Sequence, residues 1–227
     1  MKRLLPLLLI GATSPDGFSE DFERPVRLDA SPWALAQQVN GRVERAPAPQ
    51  RRGRAMLAST GPKQGDTVAK ADLVTRPAMM PGGTQLTVAF DIRIPAGSPR
   101  NSLQLVDIEC ATCGERGNPG VRLYLRHGRL RVDRSKIGIK HAWTRDDAPA
   151  LAPDRWHRIT WQLRLDPGDQ GSSRVLLDGR EVLAATGATL PPLQRIGADR
   201  IQIGITANSN PVPARAWFDN IAVAIRR

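Results

Sequence analysis

From Asp154 to Ile225 the chain alternates apolar and polar side chains at period two in one segment after another: DRWHRITWQLRL, SSRVLLDGREVLAA, DRIQIGITANSN and ARAWFDNIAVAI. Gly, Pro, Asp or Asn bounds each segment, the pattern of half-buried antiparallel strands. Successive side chains of a strand point oppositely, so Ile159, Trp161, Leu163 and Leu165 share one face while Arg158, Thr160, Gln162 and Arg164 share the other. One face builds a core and the other meets something polar. Asp178-Gly179 supplies a tight turn, because Gly tolerates the positive φ such turns need. Ile201, Ile203 and Ile205 then point inward, and Phe218-Asp219-Asn220-Ile221 follows near the end.

Upstream, TQLTVAFDIRIP is a strong strand, with Leu86, Val88, Phe90, Ile92 and Ile94 on one side. AMLAS and VAKADLV read as strands flanking the GPKQGD turn, FSEDFE as an opening strand, and Trp33 as a cap on the core. Residues Arg42 to Arg54, rich in Pro and Arg and without apolar period, read as a loop. No amphipathic helix and no repeat at solenoid or propeller period is visible. Many short strands between turn residues predict an all-β sandwich or jelly roll.

The first residues, MKRLLPLLLIGATS, carry two basic residues, an apolar run from Leu4 to Ile10 and then small residues, as a secretory signal does. Residues 1–14 are therefore expected to be a signal peptide and 15–227 a single β-sandwich domain; the alternative is an ordinary hydrophobic N-terminus. No Cys follows the apolar run, so a lipid anchor is not indicated, and no later stretch approaches the roughly 18 apolar residues a membrane helix needs. The expected destination is periplasmic or extracellular.

The net charge is +11 and almost all of it is Arg, since Lys occurs only at positions 2, 63, 70, 136 and 140. Such a surface attracts polyanions, and Arg engages carboxylate or sulfate through two parallel hydrogen bonds. The alternative is a merely solvated basic surface. Cys110 and Cys113 are the only cysteines, and in an exported protein the pair reads as a small disulfide loop, with free thiols or a metal or redox pair as the alternatives. His127, His141 and His157 show no metal-ligand spacing.

Chemistry is expected on the polar faces of the middle strands. Asp107 and Glu109 are two apart in SLQLVDIEC and share a face, as do Arg122, Tyr124 and Arg126 in VRLYLRH. Two acids, a ring and arginines on neighbouring strands suit a sugar-binding groove; cross-strand salt bridging on a solvent face is the alternative. Arg158 and Gln162 complete the candidate binding set, and Tyr124, His127 and Glu109 are the candidate proton-transfer groups.

The order of these segments (the Trp-His strand, the strand ending in Asp-Gly, the closing FDNI strand, and more weakly FSEDFE, Trp33, GRAMLAS and VAKADLVTR) resembles the concanavalin A-like lectin/glucanase superfamily. Within it the heparin-lyase-like and alginate-lyase-like polysaccharide lyases are most similar. The resemblance implies a jelly roll of two antiparallel sheets and recognition of an acidic polysaccharide. The laminarinase-type hydrolase motif is similar to Asp107-x-Glu109, but Leu105 stands where the nucleophile belongs. Retaining glycoside chemistry, which needs two carboxylates, is thereby disfavoured. Lyases of this type carry Gln-x-His where Asp107 and Glu109 stand, and Gly-x-Tyr where this chain has Gly204-Ile205-Thr206. Both departures remove the usual proton-transfer groups. The resemblance also implies a structural calcium near the joined first and last strands, with Glu23, Asp219 and Asn220 at the matching places; local hydrogen bonding of Asp219 and Asn220 is the alternative.

The expectation is thus an exported β-sandwich that binds a uronate-containing polysaccharide or another glycan. An active lyase working by β-elimination is one alternative and a laminin-G-like module binding protein at the cell surface is another. Export argues against nucleic acid as the partner.

Overall fold

The last strand holds the fold together: it pairs with three others, and the first strand is one of them. A computed structural model describes residues 16–25, 27, 30, 32–113, 117–192 and 197–227. The leader expected over residues 1–14 lies outside the described residues. The strands are β1 (Asp16–Glu20), β2 (Leu35–Val39), β3 (Gly41–Pro47), β4 (Arg54–Thr60), β5 (Ala69–Thr75), β6 (Gln85–Arg93) and β7 (Leu103–Glu109). They continue with β8 (Gly120–Arg126), β9 (Arg129–Asp133), β10 (Trp156–Arg164), β11 (Ser172–Leu177), β12 (Arg180–Thr186), β13 (Arg200–Asn208) and β14 (Ala214–Arg226). The only helical piece among the described residues is a 3-10 turn at Ser135–Ile137.

One sheet has the order β12-β11-β10-β6-β14-β4-β3, with β1 also against β14; the other has the order β2-β5-β13-β7-β8-β9. Every pairing is antiparallel. The inner faces meet in one apolar core: Leu86, Val88, Phe90 and Ile92 from β6 and Ile159 and Trp161 from β10 face Leu73, Val106, Leu123, Ile203 and Ile205 of the second sheet. The molecule is a concanavalin A-like jelly-roll sandwich. Trp33 is fully buried and meets Phe18 edge-on at 5.0 Å between ring centroids. Asp178 and Gly179 both take positive φ and close the β11–β12 hairpin.

Two expectations need correction. Arg42 to Arg54 is not a loop throughout: β3 occupies its first six residues, and the hairpin to β4 closes through the Ala48 N–H on the Gly53 carbonyl at 3.0 Å. As the sheet's edge, β3 buries only Val43 and carries Arg, Glu and a terminal Pro, so it lacks the apolar period that marks a strand. FSEDFE is strand only through Glu20, after which the chain turns.

A bulge in β7 decides which of its side chains reach the outer surface. Its register against β8 shifts between Gln104 and Val106, so Leu105 and Val106 are both buried while Gln104, Asp107 and Glu109 keep the outer side.

Candidate functional site

The outer face of the six-stranded sheet carries a row of polar groups running across its strands. Register places Gln37 of β2 beside Asp72 of β5, Asp72 beside Gly204 of β13, Gln202 beside Asp107 of β7, and Asp107 beside Arg122 of β8. Asp72, Asp107 and Glu109 are 0%, 2% and 2% exposed, so three acids have been taken out of water on a face that alternation assigns to solvent. Burying carboxylates is costly unless they are partnered or protonated.

Two of the three are partnered. Asp107 accepts hydrogen bonds from the Thr206 hydroxyl at 2.8 Å and the Gln202 amide at 3.4 Å. Glu109 accepts from the same amide at 3.0 Å and from Asn118 at 3.4 Å, and it pairs with Lys136. Arg200 donates to the side-chain oxygens of Gln37 and Gln202, each at 3.1 Å, and so extends the network from β2 to β7. Asp72 differs: neither of its carboxyl oxygens has a hydrogen-bond partner. Burial pushes its pKa up to about 8, opposed by Lys70, with Asp107 adding to the rise. Burial also lifts Asp107 to about 6, with Glu109 next in effect and Lys136 opposing. Burial thus favours the neutral form of the Asp72 carboxyl, which lies beneath the face and not on it.

Tyr124 lies on the same face, half-buried, beside Gln104. With Ser102, Gln104, Asp133 and Ser209 it lines a shallow depression of about 270 Å³. Arg122 pairs with Asp133 and donates to the Ser135 hydroxyl at 2.8 Å, so its guanidinium is largely engaged within the protein. Arg126 ends β8 on this side, exposed, and His127 opens the following turn at positive φ, its N–H on the Asn101 side chain at 3.1 Å.

The structure therefore gathers Asp107, Glu109, Arg122 and Tyr124, and sets Arg126 and His127 at the margin. It does not bring Arg158 and Gln162 to them. Both lie on β10, whose outer face is on the far side of the sandwich, where Arg158 pairs with Asp91 at 3.1 Å. Sequence reasoning did not select Lys70, Asp72, Lys136, Arg200 or Gln202. The signal for Asp72 was in VAKADLV, where Lys70 and Asp72, two apart, share one face of the strand.

The groups suggested for calcium do not fit one. Asp219 pairs with Arg51, whose other nitrogen is 3.0 Å from Asp91. Asn220 turns its amide nitrogen, not its oxygen, toward Asp91 at 2.7 Å, and Glu23 accepts the Arg54 N–H at 3.0 Å. A guanidinium already stands between the two carboxylates. Among the described residues no cluster of three or more His, Cys, Asp or Glu is arranged for a metal.

Two further elements are structural. His157 is buried, donates from Nδ1 to Asp178 at 2.8 Å and accepts the Ala152 N–H at Nε2 at 3.0 Å, so it clamps a loop to the β11–β12 turn. Burial pushes the Asp178 carboxyl up, but hydrogen bonds from His157 and the Arg158 N–H outweigh it and hold the group below its ordinary value. Cys110 and Cys113 form a disulfide immediately after β7.

A family model described as polysaccharide lyase matches residues 26–222. The chain belongs to that polysaccharide lyase family. Among solved structures, it is similar to an endo-β-1,4-glucuronan lyase from the fungus Trichoderma reesei, with a TM-score of 0.69, 14% identity, and coverage of 93% of this chain and 95% of that one. The cellulose-induced protein Cip1 superposes at 0.65 with 16% identity over 91% and 96% of the two chains. The alginate lyase Aly36B does so at 0.58 with 11% identity over 93% and 97%. At these identities the likeness establishes the shared sandwich. A search of curated proteins finds no match. Membership of this family favours the lyase alternative over the pure binding protein expected where the usual proton-transfer motifs are missing.

Proposed function

We propose that the protein is a polysaccharide lyase that cleaves a uronate-containing glycan by β-elimination on the outer face of the six-stranded sheet. The observation that carries the reading is the polar outer face of this sheet, where Tyr124 lines an open depression beside exposed Arg126 and is backed by the buried acid network, in a chain of the polysaccharide lyase family.

β-Elimination requires that the uronate carboxylate be neutralised, because only then is the proton on C5 acidic enough to remove. A guanidinium beside the substrate can supply that neutralisation: Arg126 is exposed on the same face of β8 two residues from Tyr124, and such cations also draw the polymer in. Tyr124 is the proton-transfer group of this proposal, the one phenol of the chain and at the edge of the row. The C5 proton is abstracted, the C4–O4 bond breaks, its departing oxygen takes up a proton, and the electron pair left at C5 forms the C4=C5 double bond. No metal step is invoked. Export to the periplasm or beyond, expected from residues 1–14, agrees with the Cys110–Cys113 disulfide.

The test is incubation with glucuronan, alginate and heparin while following the ultraviolet absorbance of the unsaturated product. The expected result is turnover on one of them, reduced at least a hundredfold in Tyr124→Phe, the order of one lost acid-base group. Retention of a glycan with no product from any polymer would return the protein to the binding reading. Full activity in Tyr124→Phe would move proton transfer to another residue.

A further inference from the structure

On the opposite side of the sandwich from the acid row, the outer face of the larger sheet carries a separate groove of about 580 Å³. Its residues come from four adjacent strands in two aligned rows. One row runs Ser172, Arg164, Gln85, Arg226 across β11, β10, β6 and β14, and the next runs Arg174, Gln162, Thr87, Ala224. Thr87 and Ala224 are short and leave a shallow floor, while the arginines and glutamines stand up as walls.

The charges in this groove are not balanced from within. Arg174 is paired with Glu181 at 2.6 Å, but Arg164 and Arg226 are exposed and make no ion pair among the described residues. Between them stand the exposed amides of Gln85 and Gln162. Neighbouring strands are about 4.8 Å apart, so the backbones of Arg164 and Arg226, with Gln85 between them, lie about 10 Å apart along a line perpendicular to the strands. A guanidinium offers a two-pronged donor to carboxylate or sulfate, and the amides suit hydroxyls. A globular acidic protein would need a broad complementary surface that this narrow groove does not offer. An extended, regularly charged chain with hydroxyls between its charges matches both rows.

We propose that this groove is a second glycan-binding surface, which holds a strand of acidic polysaccharide on the face away from the catalytic row. The identity of the polymer as a uronate glycan rests on the proposed function; the existence of the polyanion surface does not. Its effect is to keep the protein on a long chain, so it matters for polymer and not for short oligosaccharides.

The experiment is affinity electrophoresis through gels containing alginate or glucuronan at near-physiological salt. It compares the wild-type chain with the double variant Arg164→Ser/Arg226→Ser, together with cleavage of a short oligouronide. Both side chains are exposed and unpaired, so the melting temperature should match wild type. The expected result is at least a fivefold weaker retention of the variant with unchanged oligouronide cleavage. Should neither protein cleave anything, the retention difference still reports the surface, and only the lyase reading fails. Retention equal to wild type would overturn the proposal. So would an equal loss of binding to a single-stranded DNA oligonucleotide with no loss of preference between the polymers, because that result describes a charge patch without a sugar site.

Discussion

Asp72 can lie buried in the face of the second sheet because its cross-strand neighbour is Gly204. A Cβ on residue 204 would come within 2.9 Å of the Asp72 Cβ and 2.6 Å of the Ala71 carbonyl oxygen, and the glycine sits at φ +143°. The missing side chain is what admits the acid, so the two positions form one device: a glycine on β13 that opens space and a carboxyl on β5 that occupies it.

Gly204→Ala is expected to destabilise the fold by about 2 kcal/mol or more, since it adds a backbone clash to an unfavourable φ. Urea denaturation checks this, and a midpoint within error of wild type would show that the sheet yields easily at this place.

Asp72 also predicts the direction of pH dependence. Its folded pKa of about 8 lies above the ordinary 3.8, so between these values the folded state holds a proton that the unfolded state has released. Stability therefore falls as pH rises through that window, by about 1.4 kcal/mol per pH unit for one such proton. Asp107 adds to the slope only between 3.8 and about 6. Asp72→Asn, which mimics the neutral acid, should flatten the slope and raise the melting temperature above wild type at pH 8, while the two proteins converge near pH 4. Asp72 is buried and does not touch the polymer, so activity measured where both proteins are folded should persist. A wild-type melting temperature independent of pH from 4 to 8 would show that Asp72 is not held protonated.

Much of the architecture was legible because alternation is a direct consequence of one buried face. β6, β10, β11 and β13 each bury most of their apolar positions, and each was visible as an unbroken period. The edges β2, β3 and β9 were not identified: β2 and β3 bury almost nothing, and β9 alternates Leu130 and Val132 over only five residues, too short a run to stand out. The site was legible in part for a related reason. Asp107 and Glu109 stand on a strand already recognised, and period two puts them together. Lys136 meets Glu109 from a 3-10 turn outside the sheet, and Arg200 reaches Gln37 across a sequence separation of 163 residues. No local pattern encodes such pairings. Gln162 and Arg158 were grouped with the others because alternation says which side of its own sheet a residue takes, but not which of two sheets the strand joins.

The disulfide should matter little. It closes a loop of only a few residues, for which chain entropy gives about 1–2 kcal/mol. The turn is also held independently: Asp199 accepts the Ala111 N–H at 2.6 Å and the Thr112 hydroxyl, and the Cys110 N–H donates to the Pro119 carbonyl at 2.9 Å. Cys110→Ser/Cys113→Ser is expected to lower stability by no more than about 2 kcal/mol and to leave glycan cleavage within twofold. A larger loss in either, followed by thermal denaturation and product absorbance, would mean that the bridge positions Glu109.

Arg51 carries the last prediction. Its guanidinium bridges Asp91 and Asp219 and lies 3.5 Å from the centre of the Trp156 ring, while Arg158 and Asn220 meet Asp91 from its other sides. Burial raises the Asp219 carboxyl above its ordinary value, with the Asn220 N–H and then Arg51 opposing. Arg51→Met keeps the length of the side chain and some contact with the indole but removes the charge, which leaves a buried carboxylate without its partner. The expected loss is about 3 kcal/mol at neutral pH. Without Arg51 the Asp219 pKa rises further, so the variant's deficit should narrow as the pH is lowered toward 4 and the group becomes neutral. Adding millimolar calcium separates two roles for the arginine. If the guanidinium serves as the counter-ion of this acid pair, calcium leaves the wild-type melting temperature unchanged and restores part of the stability lost in the variant. If calcium instead raises the wild-type melting temperature by several degrees, the ion binds with Arg51 present, and the arginine does not take its place.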